Sequence, residues 1–215
     1  DKIAIVGCSN GRPPESREAI RQLKNVLEEM GLRPVFGEYL YAGRSVVSGT
    51  GAQRASALMD FYRDPEIKAV FDISGGDVAN EILPYLDFEV IERSGTQFWG
   101  YSDLTVILNA IYAKTGKTSV LYQIRNLVRG QGRARCGEFA KAVLGKERTL
   151  FELPCTFVQG SRMEGAVVGG NIRCFLKLAG TEFFPELEGR ILLLEAFKGD
   201  EAQIRTYLCH LKLLG

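Results

Sequence analysis

The chain has 215 residues, of which 46% are hydrophobic and 25% charged, and its 27 basic residues nearly balance its 26 acidic ones. This composition is typical of a globular protein with its own core; nothing indicates binding to nucleic acid, and no segment approaches the ~18 apolar residues of a membrane span. The five cysteines form no C-x-x-C pair, which argues against a zinc site or a disulfide framework and favours reduced thiols in a cytoplasmic protein.

Strand-like and helix-like segments alternate along the first 125 residues. Continuous apolar runs predict buried strands, and apolar residues three and four apart predict helices. Because short loops connect them, we predict an α/β fold with a doubly wound, flavodoxin-like parallel sheet. The predicted strands are 2–9, 33–40, 68–74, 96–102 and 118–124; the predicted helices are 15–31, 51 to near Asp64, 79–93 and 103–116.

The pattern changes after residue 125. Residues 125–137 are rich in Arg and Gly without periodicity, which favours a solvated connector over an anion-binding patch. We divide the chain into an N-terminal α/β domain (1–125), a connector (126–160) and part of a smaller, β-rich C-terminal α/β domain (161–215). The elements predicted beyond 125 are a helix at 138–146, alternating strand-like residues over 151–172, a helix at 171–181, a strand at 189–197 and a helix at 200–215.

Three loops with small polar residues follow predicted strands: "GCSNG", "SGGD" and "GYSD". In parallel sheets, ligands bind at the carboxyl ends of the strands, so we expect these loops to meet there. In "FWGYSDLT", Gly100 permits a tight bend and Ser102 lies at its apex, as a nucleophile between a strand and a helix would. On the motif alone, a helix N-cap at Ser102 or Asp103 is the stronger interpretation.

Five segments together resemble the LD-carboxypeptidase family of serine peptidases, which includes muramoyltetrapeptide carboxypeptidases and microcin C immunity peptidases. They occur in the family's order over most of the chain, and they include the glycine pair, the G-Y-S-D turn, a G-G-N motif and a strand that ends in L-E. The segments are "KIAIVGCS", "DPEIKAVFDISGGDVANEILPYLDFEVI", "FWGYSDLTVILNAIYAKTG", "VVGGNIRCFLKLAGT" and "GRILLLEAF".

The resemblance implies roles for particular residues. Ser102 would be the nucleophile, and Glu195 the acid that orients a catalytic histidine. The N–H groups of Asp103 and Gly76 would form the oxyanion hole. Substrate binding is predicted at Gly75, at Asp77 (where many relatives carry an aromatic residue) and at Tyr122, for which a place in the core is an equal alternative. No metal or cofactor is expected.

The base is the point where the sequence departs from the family. The family supplies its histidine well beyond the L-E strand, whereas the only histidine here is His210, which we interpret as a surface residue. Because the chain stops twenty residues after Glu195, we expect either that it is a truncated or partly ordered form or that the protein lacks a complete triad. A non-catalytic binder of small ligands therefore stays open, as does, more faintly, a hydrolase that uses Cys8.

The implied activity is hydrolysis of an L,D amide bond near the carboxyl end of a cell-wall peptide, through an acyl-enzyme on Ser102. Within the family, the alternative is an amidase that inactivates an aminoacyl-sulfamate antibiotic. The partners implied are a small peptide and a second copy of the chain, in the cytoplasm, with no nucleic acid and no membrane. Arg12, Arg125 and Arg129 are candidates for binding the substrate carboxylate.

Overall fold

The computed structural model of the protein describes residues 1–130, 132–145, 147, 149–152 and 154–215, without the side chains of residues 133 and 149. Five strands form one parallel sheet in the order β2-β1-β3-β4-β5, which is the flavodoxin order. The strands are β1 (Lys2–Val6), β2 (Arg33–Phe36), β3 (Ile67–Asp72), β4 (Gln97–Gly100) and β5 (Val120–Leu121).

Helices cover both faces of this sheet, since the side chains of a strand alternate between its faces. Ala4 and Val6 of β1 lie in one core, whereas Ile3 and Ile5 lie in the other. α2 and α4 contribute to the first core, and α1 and α5 to the second. The helices are α1 (Arg17–Glu29), α2 (Gly51–Arg63), α3 (Phe88–Arg93), α4 (Thr105–Thr115) and α5 (Gly132–Val143).

A second, smaller sheet follows. It consists of two parallel strands, β6 (Val167–Asn171) and β7 (Ile191–Glu195), with the short helix α6 (Ile172–Phe175) directly after β6. The helix α7 (Glu201–Leu213) follows β7. Both β6 and α6 contact α4, so the small sheet lies against the helix that begins just after Ser102.

Three elements differ from the predictions. α5 begins six residues before the predicted start at 138, and its Phe139 is fully buried, so part of the expected connector covers the sheet. Residues 79–93 were predicted to be mostly helical with an interruption at Pro84; the part before the interruption, residues 79–85, is a 3-10 helix. Among the described residues of 151–166 there is no strand, although alternating apolar residues predicted one. In the described part of the chain, no helix is both long and apolar enough to cross a membrane.

Candidate active site

Ser102 lies at a strained bend at the carboxyl end of β4. Its φ is 63°, and no other residue in the described part of the chain except glycine has a positive φ. A 3-10 turn from Ser102 to Leu104 leads directly into α4. Gly100 makes the bend possible, because a Cβ at that position would lie 2.6 Å from Leu104 Cβ. The half-buried Ser102 therefore has the left-handed backbone that nucleophiles on such turns adopt, and not the extended backbone of an N-cap.

The Asp103 carboxylate ties several loops of this region together. It is fully buried, and its Oδ2 accepts hydrogen bonds from Ser9 Oγ at 2.6 Å and from the Ala79 N–H at 2.9 Å. Its Oδ1 accepts one from Lys177 Nζ at 2.5 Å. These bonds hold Asp103 in place, and they therefore restrain the backbone of the 3-10 turn that begins at Ser102.

The Gly75–Asp77 turn is linked to this bend through Lys177, and its part in an oxyanion hole stays a prediction. Gly75 and Gly76 have φ values of 149° and 133°, and a Cβ on Gly76 would lie 2.2 Å from Asn10 Cγ. The Asp77 N–H donates to Asn10 Oδ1 at 2.9 Å, and the Ser74 N–H donates to Asp72 Oδ1 at 2.6 Å. With its flanking amides engaged, the turn leaves the N–H groups of the two glycines as candidate donors.

Two basic residues from the C-terminal segment hold this turn, and the sequence did not predict either of them. Arg173 pairs with the Asp77 carboxylate, and its Nη2 donates to the Gly76 carbonyl at 3.1 Å. Lys177 Nζ donates to the Asp77 carbonyl at 2.7 Å as well as to Asp103. The turn and the Ser102 bend are therefore connected through one lysine. Asp77 serves here as an anchor, and its role in substrate binding stays a prediction.

Glu195 ends β7 and lies opposite Asn171 in the register of the small sheet. Asn171 Nδ2 donates to Glu195 Oε1 at 3.1 Å, and the Asn171 N–H donates to Thr105 Oγ1 at 3.0 Å. Burial and then the charge of Glu195 raise the pKa of Tyr101, the residue directly before Ser102. The half-buried Glu195 is thus in the neighbourhood of the bend.

Asn109 fixes the small sheet to α4. Its side-chain amide donates to the Gly169 carbonyl and accepts from the Gly169 N–H, both at 2.8 Å. Gly170 follows with a φ of 128°, and a Cβ there would lie 2.6 Å from Thr105 Oγ1. The G-G-N motif is therefore the close contact that brings Glu195 toward Ser102.

The other predicted residues lie elsewhere. Tyr122 stacks on Phe139 and packs against Trp99, and burial raises its pKa to about 12; a role in substrate binding stays a prediction. His210 is exposed on α7, as expected for a surface histidine. Cys8 is buried in the core, and burial followed by the charge of Asp72 raises the pKa of its thiol, which disfavours its use as a nucleophile.

Sequence profiles decide the family. The profile of the LD-carboxypeptidase N-terminal domain matches residues 3–122, and that of the LD-carboxypeptidase C-terminal domain matches residues 164–215. The chain belongs to the LD-carboxypeptidase family. The first profile covers the Ser102 bend and the glycine turn, while the second covers Asn171 and Glu195.

Individual relatives agree with this assignment. The chain is 31% identical over 222 residues to a probable murein peptide carboxypeptidase of Bacillus subtilis, with 100% of this chain and 68% of that protein covered. It is 27% identical to the microcin C7 self-immunity protein MccF of Escherichia coli, with 87% and 64% covered. The crystal structure of an MccF-like protein from Bacillus anthracis matches with a TM-score of 0.81 and 26% identity over 99% of this chain and 73% of that one.

Proposed function

We propose that the protein is a serine carboxypeptidase that hydrolyses an L,D amide bond near the free carboxyl end of a cell-wall peptide. The observation that carries the proposal is the strained backbone of Ser102, with a φ of 63°, at a strand-to-helix bend. Strain of this kind costs on the order of 1–3 kcal/mol and persists where function requires the geometry. The family supports peptidase chemistry, and the serine and the L,D specificity belong to the proposal.

In the proposed reaction, Ser102 Oγ attacks the carbonyl carbon of the amide and gives its proton to a base. The N–H groups of Asp103 and Gly76 stabilise the oxyanion. The C–N bond then breaks, the departing amine of D-alanine takes up the proton, and an ester on Ser102 remains. Water hydrolyses this ester to a shortened peptide with a new carboxylate.

The base of this reaction is an imidazole that Glu195 orients. His210 is exposed on α7, and among the described residues no hydrogen bond or ion pair joins it to Glu195, which accepts its hydrogen bond from Asn171. The proposal therefore requires an imidazole other than His210. As the resemblance implies, the proposal also includes a cytoplasmic location and a homodimeric assembly. Light scattering after size-exclusion chromatography tests the assembly.

The decisive experiment measures release of D-alanine from the tetrapeptide L-Ala-γ-D-Glu-meso-diaminopimelate-D-Ala by the wild type and by Ser102→Ala. We expect the rate to fall by about 10³-fold or more in the variant, since the nucleophile is lost. A fluorophosphonate should add to Ser102 in the wild type and leave Ser102→Ala unmodified. If the peptide binds while D-alanine is not released and Ser102 is not labelled, the protein is a binder and the proposal is wrong.

The similarity to MccF favours a second candidate, an amidase acting on an aminoacyl-sulfamoyl nucleoside. The same bend would serve it, because attack on an amide carbonyl needs the same nucleophile and oxyanion donors. An assay of glutamyl-sulfamoyl adenosine beside the tetrapeptide separates the two. Faster hydrolysis of the nucleoside conjugate, lost in Ser102→Ala, would replace the L,D peptide as the substrate.

A further inference from the structure

Three arginines meet at the carboxyl edge of the large sheet. Arg12 belongs to the loop after β1, while Arg125 and Arg129 belong to the 3-10 turn and its end after β5. The two segments pack against the same helix, α1, although their strands are separated by β3 and β4 in the sheet. The charge of Arg129 acts on Arg12, and the charges of Arg12 and Arg129 act on Arg125, so the three guanidinium groups lie within electrostatic range of one another. We call these three residues the arginine cluster.

Both segments are also connected to the candidate active site. Asn10, two residues before Arg12, accepts the Asp77 N–H of the glycine turn at 2.9 Å. Tyr122, three residues before Arg125, donates its N–H to the Gly100 carbonyl at 2.8 Å, directly before the Ser102 bend. The arginine cluster therefore lies on the loops that border the predicted nucleophile and the predicted oxyanion donors.

Hydrogen bonds hold the side chains of two members of the cluster, Arg12 and Arg125. The Arg12 N–H donates to the Leu40 carbonyl at 2.7 Å, and its Nη2 donates to Ser16 Oγ at 3.3 Å. Arg125 Nε donates to Oε1 of the buried Gln123 at 3.1 Å. Arg12 Nε is buried and has no hydrogen-bond partner.

The cluster has positive charge without a matching carboxylate. Burial, followed by the charges of Arg12 and Arg129, lowers the pKa of Arg125 to about 10. Burial and the charge of Arg129 lower the pKa of Arg12. Among the described residues, none of the three takes part in a salt bridge.

The charge of Asp72 also acts on Arg125, but this carboxylate already has its own hydrogen bonds. Its Oδ2 accepts from the Cys8 N–H at 2.7 Å, and its Oδ1 accepts from the N–H and Oγ of Ser74 at 2.6 and 2.5 Å. It is fully buried below the loops. The guanidinium groups therefore repel one another with no partner of opposite charge bonded to them, and an anion would relieve that repulsion.

We propose that Arg12, Arg125 and Arg129 bind the free terminal carboxylate of the peptide substrate. The inference rests on the proposed function, because an enzyme that removes the last residue of a peptide has to distinguish a free carboxyl end. Guanidinium groups suit this task, since they donate two parallel hydrogen bonds to a carboxylate. A phosphate group has the same chemistry toward arginine, so the experiment includes inorganic phosphate as a separate probe.

The experiment measures binding by calorimetry to Ser102→Ala, in which the peptide is not consumed. The ligands are the tetrapeptide that ends in D-alanine, its C-terminal amide, and inorganic phosphate. We expect the free acid to bind about tenfold or more tightly than the amide, because the amide lacks the charge. Adding Arg125→Gln should reduce this preference to about twofold, and Arg125→Lys should leave an intermediate preference because it keeps the charge without the bidentate geometry.

A matched control is Arg21→Gln in the same Ser102→Ala background. Arg21 is exposed on α1 and pairs only with Glu18, so the preference for the acid should be unchanged. Circular dichroism checks that each variant folds. If Arg125→Gln does not fold, Arg129→Gln replaces it, because Arg129 is exposed.

Equal affinity for acid and amide would overturn the inference, as would a preference for the acid that survives the Arg→Gln change at each of the three positions. Neither result affects the proposed function, which Ser102-dependent release of D-alanine decides. If neither peptide binds but phosphate binds in an Arg125-dependent manner, both the carboxylate inference and the peptidase proposal are wrong, and the site takes a phosphate.

Discussion

The Asn171 N–H donates to Thr105 Oγ1 at 3.0 Å, and this bond joins the small sheet to the helix that begins three residues after Ser102. Asn171 also donates through its side chain to Glu195. A single residue therefore connects the start of α4 with the predicted catalytic acid. Since Gly169 and Gly170 are both in regions of positive φ, no other residue type fits this approach without strain.

Gly170→Ala tests how close this contact between the small sheet and α4 is. A methyl group there would lie 2.6 Å from Thr105 Oγ1 on a backbone with a φ of 128°, so we expect a loss of about 2 kcal/mol in the free energy of unfolding. Urea denaturation measures the loss. The control is Gly95→Ala, where nothing lies within 4 Å of the added Cβ. Similar losses in the two variants would show that the contact at Gly170 is not tight.

The strain at Ser102 should appear as a difference between two substitutions. Ser102→Gly removes the Cβ that makes a φ of 63° unfavourable, whereas Ser102→Ala keeps it. We expect the glycine variant to be more stable than the alanine variant by about 1 kcal/mol, measured by chemical denaturation. Because both variants lack the hydroxyl, the comparison isolates the backbone. Equal stabilities would mean that Ser102 is not strained.

Lys177→Met should be strongly destabilising. Asp103 is fully buried and Lys177 is 19% exposed, so removal of the lysine leaves a buried carboxylate without its cation, at a cost of about 3 kcal/mol. The control is Lys114→Met, whose partner Glu182 is 69% exposed. That change should cost less than about 1 kcal/mol, as exposed pairs do. Thermal denaturation of both variants checks the ranking, and a loss at Lys177 no larger than that at Lys114 would contradict it.

Thiol alkylation should divide the cysteines by burial. Cys155 and Cys209 are exposed, whereas Cys8 and Cys174 are buried. Burial, and then the charge of Asp103, raise the pKa of Cys174 from 9.0 to about 12. We expect iodoacetamide at pH 8 to label the exposed pair at least about tenfold faster, since only the thiolate reacts. Peptide mapping by mass spectrometry measures the rates, and rapid labelling of Cys174 would contradict its burial.

The same shift has a consequence for stability at high pH. The thiol of Cys174 loses its proton near 9.0 in the unfolded chain but only near 12 in the folded one. Between these values the unfolded state binds fewer protons, so the contribution of this thiol to stability falls as pH rises. Cys174→Ala should weaken that decline in a series of denaturation curves between pH 8.5 and pH 10.5. An unchanged slope would contradict the assignment of the shift to this thiol.

The sheet was predictable from sequence because its strands are buried on both faces. Mostly apolar segments such as Ile67–Asp72, separated by amphipathic helices and short loops, are compatible with few folds other than a parallel α/β sheet. The position of Ser102 followed from Gly100 and from the change of period after β4. Its positive φ did not follow, since the local residues alone favoured an N-cap.

The parts that sequence could not predict depend on contacts between distant segments. Arg173 and Asp77 are 96 residues apart, and charged residues in a helical pattern usually face solvent. Arginines and glycines concealed the first six residues of α5, a helix whose Phe139 is fully buried against the aromatic side chains of Phe71 and Trp99. The sequence likewise offered the three arginines as separate candidates, because it did not predict that the loops after β1 and β5 lie at the same edge of the sheet.

The parallel pairing of β6 with β7 places Asn171 directly opposite Glu195. Successive side chains of a strand point to opposite faces, so a slip of one residue would turn Glu195 away from the start of α4. A two-stranded sheet has few backbone hydrogen bonds to prevent such a slip. The side-chain amide of Asn109 bonds both the N–H and the carbonyl of Gly169, and these two bonds fix the register of β6. If Glu195 is the acid of the proposed reaction, misaligned molecules would keep their secondary structure without being active, and spectroscopic evidence of folding would overstate the active fraction of a preparation.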